Sequence, residues 1–212
     1  MGMGKDIRNL IAKRAAQEIS DGMVVNLGIG IPSLVPNHLS SNIHVVFQAE
    51  NGVLGMGSTP DPEKEDENLC NAAGYPVTLV KGGSYFDSAL AFGMIRRGKL
   101  DITILGSLQV SEKGDLANWI VPGKRVPGMG GAMELSQKAK KVIVLMSHVD
   151  KSGQAKIVKK CSLPITTPSC VDIIITDLAV MEITSEGLHL KELMPGISLN
   201  QVIEKTEANL MY

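Results

Sequence analysis

Short, buried-looking apolar runs alternate with helix-patterned segments along this chain, and that alternation restricts the fold more than any single residue does. Met23 to Leu27, Ile43 to Ala49, Asp101 to Val110, Val142 to Met146, Val171 to Thr176 and Ala179 to Ile183 read as strands. Between them, Ile7, Leu10, Ile11, Ala15 and Ile19 follow helical spacing, with Asp6 as the expected cap and Asp21-Gly22 as the end. Ser33 to Leu39 forms a short helix after Pro32. Ser84 and Asp87 form a capping box for a helix through Leu90 and Met94 that stops at Arg97-Gly98. Glu134 to Lys140 and a tail from Ser198 to Asn209, boxed by Ser198 and Gln201, complete the helices. Polar Ser58 to Ala73, broken by Pro60 and Pro62, reads as a surface loop. The pattern predicts an α/β fold with an open, mostly parallel sheet flanked by helices. At 212 residues, without a dividing linker or repeat, residues 1–212 are expected to form one domain.

Glu50 lies where one of these strands ends. The run with Val45, Val46 and Phe47 leads into Glu50-Asn51-Gly52, and Gly55 and Gly57 follow. Glycine leaves little bulk around the carboxylate, so a large substrate could meet it closely. Acidic residues at strand ends also serve as turn formers or helix caps, so position alone does not assign a role.

Composition narrows the function. A net charge of −1, with no long charged block, offers nothing to a phosphate backbone or an anionic bilayer, so neither nucleic acid nor membrane is an expected partner. No apolar stretch approaches the roughly 20 residues of a membrane span. The start, Met1-Gly2-Met3-Gly4-Lys5-Asp6, lacks the apolar core of a signal peptide, and a cytoplasmic location is expected. Cys70, Cys161 and Cys170 are odd in number and lack CxxC spacing, so they read as reduced and structural. His38, His44, His148 and His189 show no HxxxH spacing, and no metal is expected. Aromatics at 3% disfavour a base-stacking platform, whereas 22 glycines favour a glycine-shaped small-molecule site.

Three glycine-rich turns stand out: Gly28-Ile29-Gly30-Ile31-Pro32, the turn after Glu50, and Gly128-Met129-Gly130-Gly131-Ala132. Without Cβ atoms in the way, backbone N–H groups there can approach an anion or a developing oxyanion. A dinucleotide fingerprint would need glycine where Ser33 stands, and no GxxxxGK[ST] sequence is present. Taken singly, each turn also suits a plain tight connection. Arg96, Arg97 and Lys99 suit a helix C-terminus without any ligand, and Trp119 reads as a packing residue.

Taken together and in order, these motifs resemble the β subunit of a family I CoA-transferase. The likeness rests on the Gly28 turn, Glu50-Asn51-Gly52 with Gly55-Met56-Gly57, Lys81-Gly82-Gly83-Ser84-Tyr85-Phe86-Asp87 and Gly114-Asp115-Leu116-Ala117-Asn118-Trp119. Pro122-Gly123-Lys124, Gly128-Met129-Gly130-Gly131-Ala132-Met133, Thr176-Asp177-Leu178-Ala179 and Met194-Pro195-Gly196 extend it, so that it runs from about Ile7 to Glu207. The nearest types are the 3-oxoacid CoA-transferases, including succinyl-CoA and acetoacetate or butyrate forms. The resemblance implies a CoA-transferase (NagB/RpiA-like) fold, which sugar-phosphate isomerases share.

It also implies that Glu50 is a nucleophile in a ping-pong cycle through an acyl anhydride and a glutamyl-CoA thioester. A carboxylate suits that role, because it is ionised at neutral pH and, unlike a serine hydroxyl, requires no general base. Gly28, Gly30, Asn51, Gly130 and Gly131 are the expected oxyanion or substrate-binding residues. No cofactor is expected, since CoA is a substrate carried covalently on Glu50. The family pattern further implies an α-subunit partner, as α2β2, with acyl-CoA and carboxylic acid substrates. A noncatalytic ligand-binding member of the same fold and a CoA-thioester hydrolase are the alternatives.

Overall fold

The computed structural model describes residues 3–123 and 128–212. Met1, Gly2 and Lys124, which entered the sequence reading, lie outside them. In chain order the elements are α1 (Lys5–Ala16), β1 (Val24–Leu27), a 3₁₀ helix (Pro32–His38), β2 (Val46–Ala49), β3 (Val53–Met56), β4 (Leu79–Tyr85) and α2 (Ser88–Arg96). There follow β5 (Ile102–Gly106), β6 (Gln109–Ser111), β7 (Leu116–Ala117), α3 (Ala132–Lys138), β8 (Lys141–Leu145) and β9 (Ile157–Val158). The chain closes with β10 (Ile173–Ile175), β11 (Ala179–Thr184), β12 (Gly187–Leu193), α4 (Leu199–Glu204) and β13 (Leu210–Met211).

Ten strands form one sheet in the order β13-β12-β11-β10-β8-β5-β1-β2-β3-β4. Its centre, from β10 to β2, is parallel, whereas β3, β4 and β11 pair antiparallel to their inner neighbours. This is the open, mostly parallel sheet expected from the sequence. A second sheet of β7, β6 and β9 was not expected, because the run Asp101 to Val110 read as one strand. It breaks after Gly106, and β6 leaves for the small sheet.

Alternation of side chains divides the core into two layers. Val25, Leu27, Phe47, Ile102 and Ile104 face α1 and the 3₁₀ helix, packing on Ile11, Ala12, Ala15 and Val35. On the other face Leu105, Val142 and Val144 pack on Ile95 of α2 and Leu135 of α3. Arg96 of α2 grips Glu134 of α3 through hydrogen bonds of 2.6 to 3.1 Å, which ties the two helices covering that face.

Caps explain two helix starts and correct two expectations. Ser198 and Gln201 form the reciprocal box at α4. At α2 the cap is Asp87 alone, accepting from Leu90 N at 2.8 Å, because Ser84 belongs to β4. Asp6 is not a cap either. It lies in the first turn of α1 behind Gly4, where its charge favours the helix dipole. The first helix also ends earlier than expected, at Ala16, and Ile19 is buried in the turn that follows.

Past the carboxyl ends of two central strands, fully buried His148 links the segments that follow β8, β10 and α4. Its Nδ1 lies 2.9 Å from Thr176 Oγ1 and its Nε2 lies 2.9 Å from Thr206 Oγ1. Both hydroxyls also reach backbone carbonyls, Thr206 donating to Val202 at 2.7 Å and Thr176 to Ala179 at 3.2 Å, so the ring is tied into the ends of α4 and β10. Burial, with Lys205 and Lys156 nearby, outweighs Asp177 and pushes the His148 pKa down to about 4. The folded value lies below the unfolded one, about 6.5, so the unfolded chain binds the proton more tightly. The stability contributed by neutral His148 is therefore complete above pH 6.5 and lost as pH falls toward 4, by up to about 3 kcal/mol. Melting temperatures measured from pH 7.5 to 4 should drop through this window, and a His148→Gln variant should show a shallower drop.

Candidate active site

Glu50 opens the three-residue loop between β2 and β3, where the sheet turns from parallel to antiparallel. The loop closes through Gly52 N donating to the Ala49 carbonyl at 3.0 Å. Gly52 holds φ at 112°, and a Cβ there would collide with the Phe86 carbonyl oxygen, so no other residue fits. The same glycine accepts from Phe86 N at 3.1 Å, anchoring the loop to the end of β4.

The half-buried Glu50 carboxylate lines a cavity of about 420 Å³ on the α2 and α3 side of the sheet, with Asn26, Gly28, Ser107, Asn118 and residues 128–132. Asn26 Nδ2 donates to Glu50 Oε2 at 3.1 Å. Gly28 directly follows β1, two residues beyond Asn26, so the position above that amide carries no side chain and stays open. A second cavity of about 240 Å³ shares Gly28, Ile29 and Ala72 with the first. Asn118 is fixed at the wall of the first cavity. Its Oδ1 accepts from Thr166 Oγ1 at 2.6 Å and its Nδ2 donates to the Gly106 carbonyl at 3.2 Å.

The expected site residues separate into two groups. Glu50, Gly28, Gly130 and Gly131 line one cavity. Gly28 contributes space rather than a donor, since its N–H is engaged by the Ile104 carbonyl at 2.8 Å. A Cβ on Gly28 would approach that same oxygen to 3.2 Å. Gly131 packs directly on the nucleophile candidate: a Cβ there would lie 3.3 Å from Glu50 Cγ and 3.4 Å from the Phe92 ring. Gly30 and Asn51 stand outside the residues lining this cavity. The Gly30 carbonyl accepts from Ser33 Oγ, and the Asn51 amide donates to the Cys70 carbonyl at 2.8 Å, holding the 58–76 loop. The side-chain amide that meets the Glu50 carboxylate is that of Asn26, a residue sequence reasoning missed. Its only sequence signal is an amide in an otherwise apolar strand, Val24-Val25-Asn26-Leu27.

A family model described as Coenzyme A transferase matches residues 8–205. The chain is 62% identical over 210 residues to a probable coenzyme A transferase β subunit of Bacillus subtilis (strain 168), covering 99% of this chain and 97% of that one. The chain belongs to the coenzyme A transferase family. It is also 52% identical over 202 residues to one of the subunits of the succinyl-CoA:3-ketoacid coenzyme A transferase of Helicobacter pylori (strain ATCC 700392 / 26695), covering 95% and 97% of the two chains. In fold it is similar to the acyl-CoA transferase YdiF of Escherichia coli O157:H7, with a TM-score of 0.76 and 22% identity. That alignment covers all of this chain and 44% of YdiF, so this CoA-transferase chain spans less than half of the solved one.

In this CoA-transferase chain, crowding at Gly131 is testable. Its φ of −78° is open to any residue, so Gly131→Ala brings only a methyl group against Glu50 and Phe92. If Glu50 reacts with the substrate, displacing it by a fraction of an ångström costs up to about 100-fold in rate. The variant should lose that much CoA transfer while its melting temperature stays near that of the parent, measured by parallel kinetics and thermal denaturation.

Proposed function

We propose that this chain is the catalytic β subunit of a CoA-transferase that moves CoA between a short-chain acyl-CoA and a 3-oxoacid or short fatty acid, with Glu50 as the covalent carrier. The observation that carries this reading is the Glu50 carboxylate in a cavity, one oxygen held by Asn26 and the other without a hydrogen-bond partner among the described residues. The free oxygen adds to the thioester carbonyl, the C–S bond breaks and CoA leaves as thiolate, producing an acyl-glutamyl anhydride. The thiolate then adds to the Glu50 carbonyl carbon, the donor acid leaves as carboxylate, and a glutamyl-CoA thioester remains. An acceptor carboxylate runs these steps in reverse. Thioester energy is conserved and no ATP is consumed.

Each tetrahedral intermediate places negative charge on a carbonyl oxygen. Asn26 Nδ2–H already faces the Glu50 oxygen that becomes the oxyanion when thiolate adds. Backbone N–H groups of the Gly130-Gly131 turn are the candidates for the acyl carbonyl on the cavity's other wall. The two cavities meeting at Gly28 and Ile29 offer room for the acyl group beside the carboxylate and for part of the thiol arm beyond it. The bulk of CoA exceeds both cavities, and an α subunit, as α2β2 in the cytoplasm, is proposed to complete its site and exclude water from the anhydride. Relatives of the same length that are named as single subunits of such transferases support a partner of this kind. No helix among the described residues is long and apolar enough to cross a membrane.

The test uses the chain co-purified with its α subunit. After incubation with acetoacetyl-CoA or succinyl-CoA, peptide mass analysis should find CoA on the Glu50 peptide. Borohydride should reduce the thioester there, and Glu50→Ala should abolish both adduct and transfer. An active complex whose Glu50 stays unmodified, or a Glu50→Ala complex that still transfers CoA, would sink the proposal.

A further inference from the structure

Beneath Glu50 a row of polar side chains crosses three parallel strands. Asn26 of β1 is in register with Gln48 of β2 on one side and Thr103 of β5 on the other. All three are buried, Gln48 at 1% exposure and the others at 0%. Neighbouring positions of these strands carry Val25, Leu27, Phe47, Ile102 and Ile104, as the centre of a parallel sheet requires. Polar residues here give up hydration for hydrogen bonds, which an aliphatic row would avoid. This row lies directly under the carboxylate.

Its hydrogen bonds select one orientation of the Asn26 amide. Nδ2 faces three acceptors: Gln48 Oε1 at 2.9 Å, the Gln48 carbonyl at 3.1 Å and Glu50 Oε2 at 3.1 Å. On the opposite side, the Thr103 hydroxyl donates to Oδ1 at 3.4 Å. Rotating the amide by half a turn would set Oδ1 against three oxygens, among them the fixed Gln48 carbonyl, whereas the Thr103 hydroxyl can turn to serve either end and holds the side chain in place on that side. Gln48 supports this arrangement at a cost to itself, since its buried Nε2 finds no hydrogen-bond partner among the described residues. A methionine would fill a similar volume without stranding an amide, so the polar contact that Gln48 adds here is the one from Oε1 to Asn26.

We propose that Gln48 and Thr103 are positioning residues which fix the Asn26 side chain with its nitrogen toward Glu50. The proposal rests on Glu50 acting as the nucleophile. The row then decides which carboxylate oxygen attacks. Oε2 is held by Asn26, leaving Oε1 as the attacking atom, and the same N–H meets the oxyanion formed on Oε2 when CoA thiolate adds to the Glu50 carbonyl. Asn26 has two N–H protons for three acceptors. As charge builds on Oε2, the proton shared with Gln48 can shift its weight to the oxyanion without any side chain moving.

The experiment uses the complex with its α subunit and the variants Gln48→Met and Thr103→Val, which keep shape and remove the polar contacts. Gln48→Met should lower kcat on the order of 10-fold to 100-fold, with KM for acyl-CoA within about 3-fold and an unchanged or raised melting temperature. Thr103→Val should lower kcat by roughly 3-fold to 10-fold, and Thr103→Ser should restore it. The decisive arm is a double-mutant cycle: in an Asn26→Ser background, or Asn26→Ala if that folds better, Gln48→Met should cause little further loss. Wild-type kcat in Gln48→Met, or an equal loss with and without Asn26, overturns the proposal. A parent complex that forms no CoA adduct on Glu50 overturns the nucleophile reading instead, so the two failures are distinguishable.

Discussion

The turn Glu50-Asn51-Gly52 is the constraint on which the site depends. Strand β2 ends the parallel part of the sheet, and the chain has three residues in which to reverse into β3. Only glycine can hold the left-handed backbone at position 52 beside Phe86, and that reversal fixes where the Glu50 side chain leaves the sheet. Parallel strands end with their carboxyl termini along one edge, and crevices form there because the connections depart in opposite directions. Glu50, Gly28 and Gly106 meet in the cavity at that edge for this reason.

Glycines around the site act by different means. Gly52 is required by its backbone angle, Gly28 by the closeness of Ile104 and Leu105, and Gly131 by contact with Glu50 and Phe92. In the sequence all three look like the same signal, a flexible turn with accessible N–H groups. In the fold, Gly28 and Gly131 leave room around the carboxylate, while its direct hydrogen-bond donor is the side chain of Asn26. Space and charge stabilisation are thus supplied by separate residues, and each can be altered without removing the other.

Strands of the central sheet were legible because they are buried on both faces and so carry a nearly continuous apolar run, as in Val142 to Leu145. Strand β4 was not. It is an edge strand, exposed along most of its length, and Lys81-Gly82-Gly83-Ser84 shows neither an apolar run nor alternation. Strand β3 was hidden by Gly55, and the break between β5 and β6 by an unbroken β-like sequence across Gly106. Cap assignment failed at Ser84 for the same reason: a capping pattern in sequence cannot show that its first residue is committed to a strand.

The sequence by itself determined the layered α/β class, the strands of its core, the position of Glu50 at a strand end and, through the ordered motifs, the CoA-transferase resemblance. These follow from local patterns, because burial on two faces and the glycine turns are written in adjacent residues. Tertiary structure alone decided that Asn26, 24 positions earlier, donates to Glu50, that Gln48 and Thr103 flank it, and that Asn51 turns away to Cys70. Register between parallel strands joined by long crossovers is set by packing on both faces of the sheet, and no local run of residues records it.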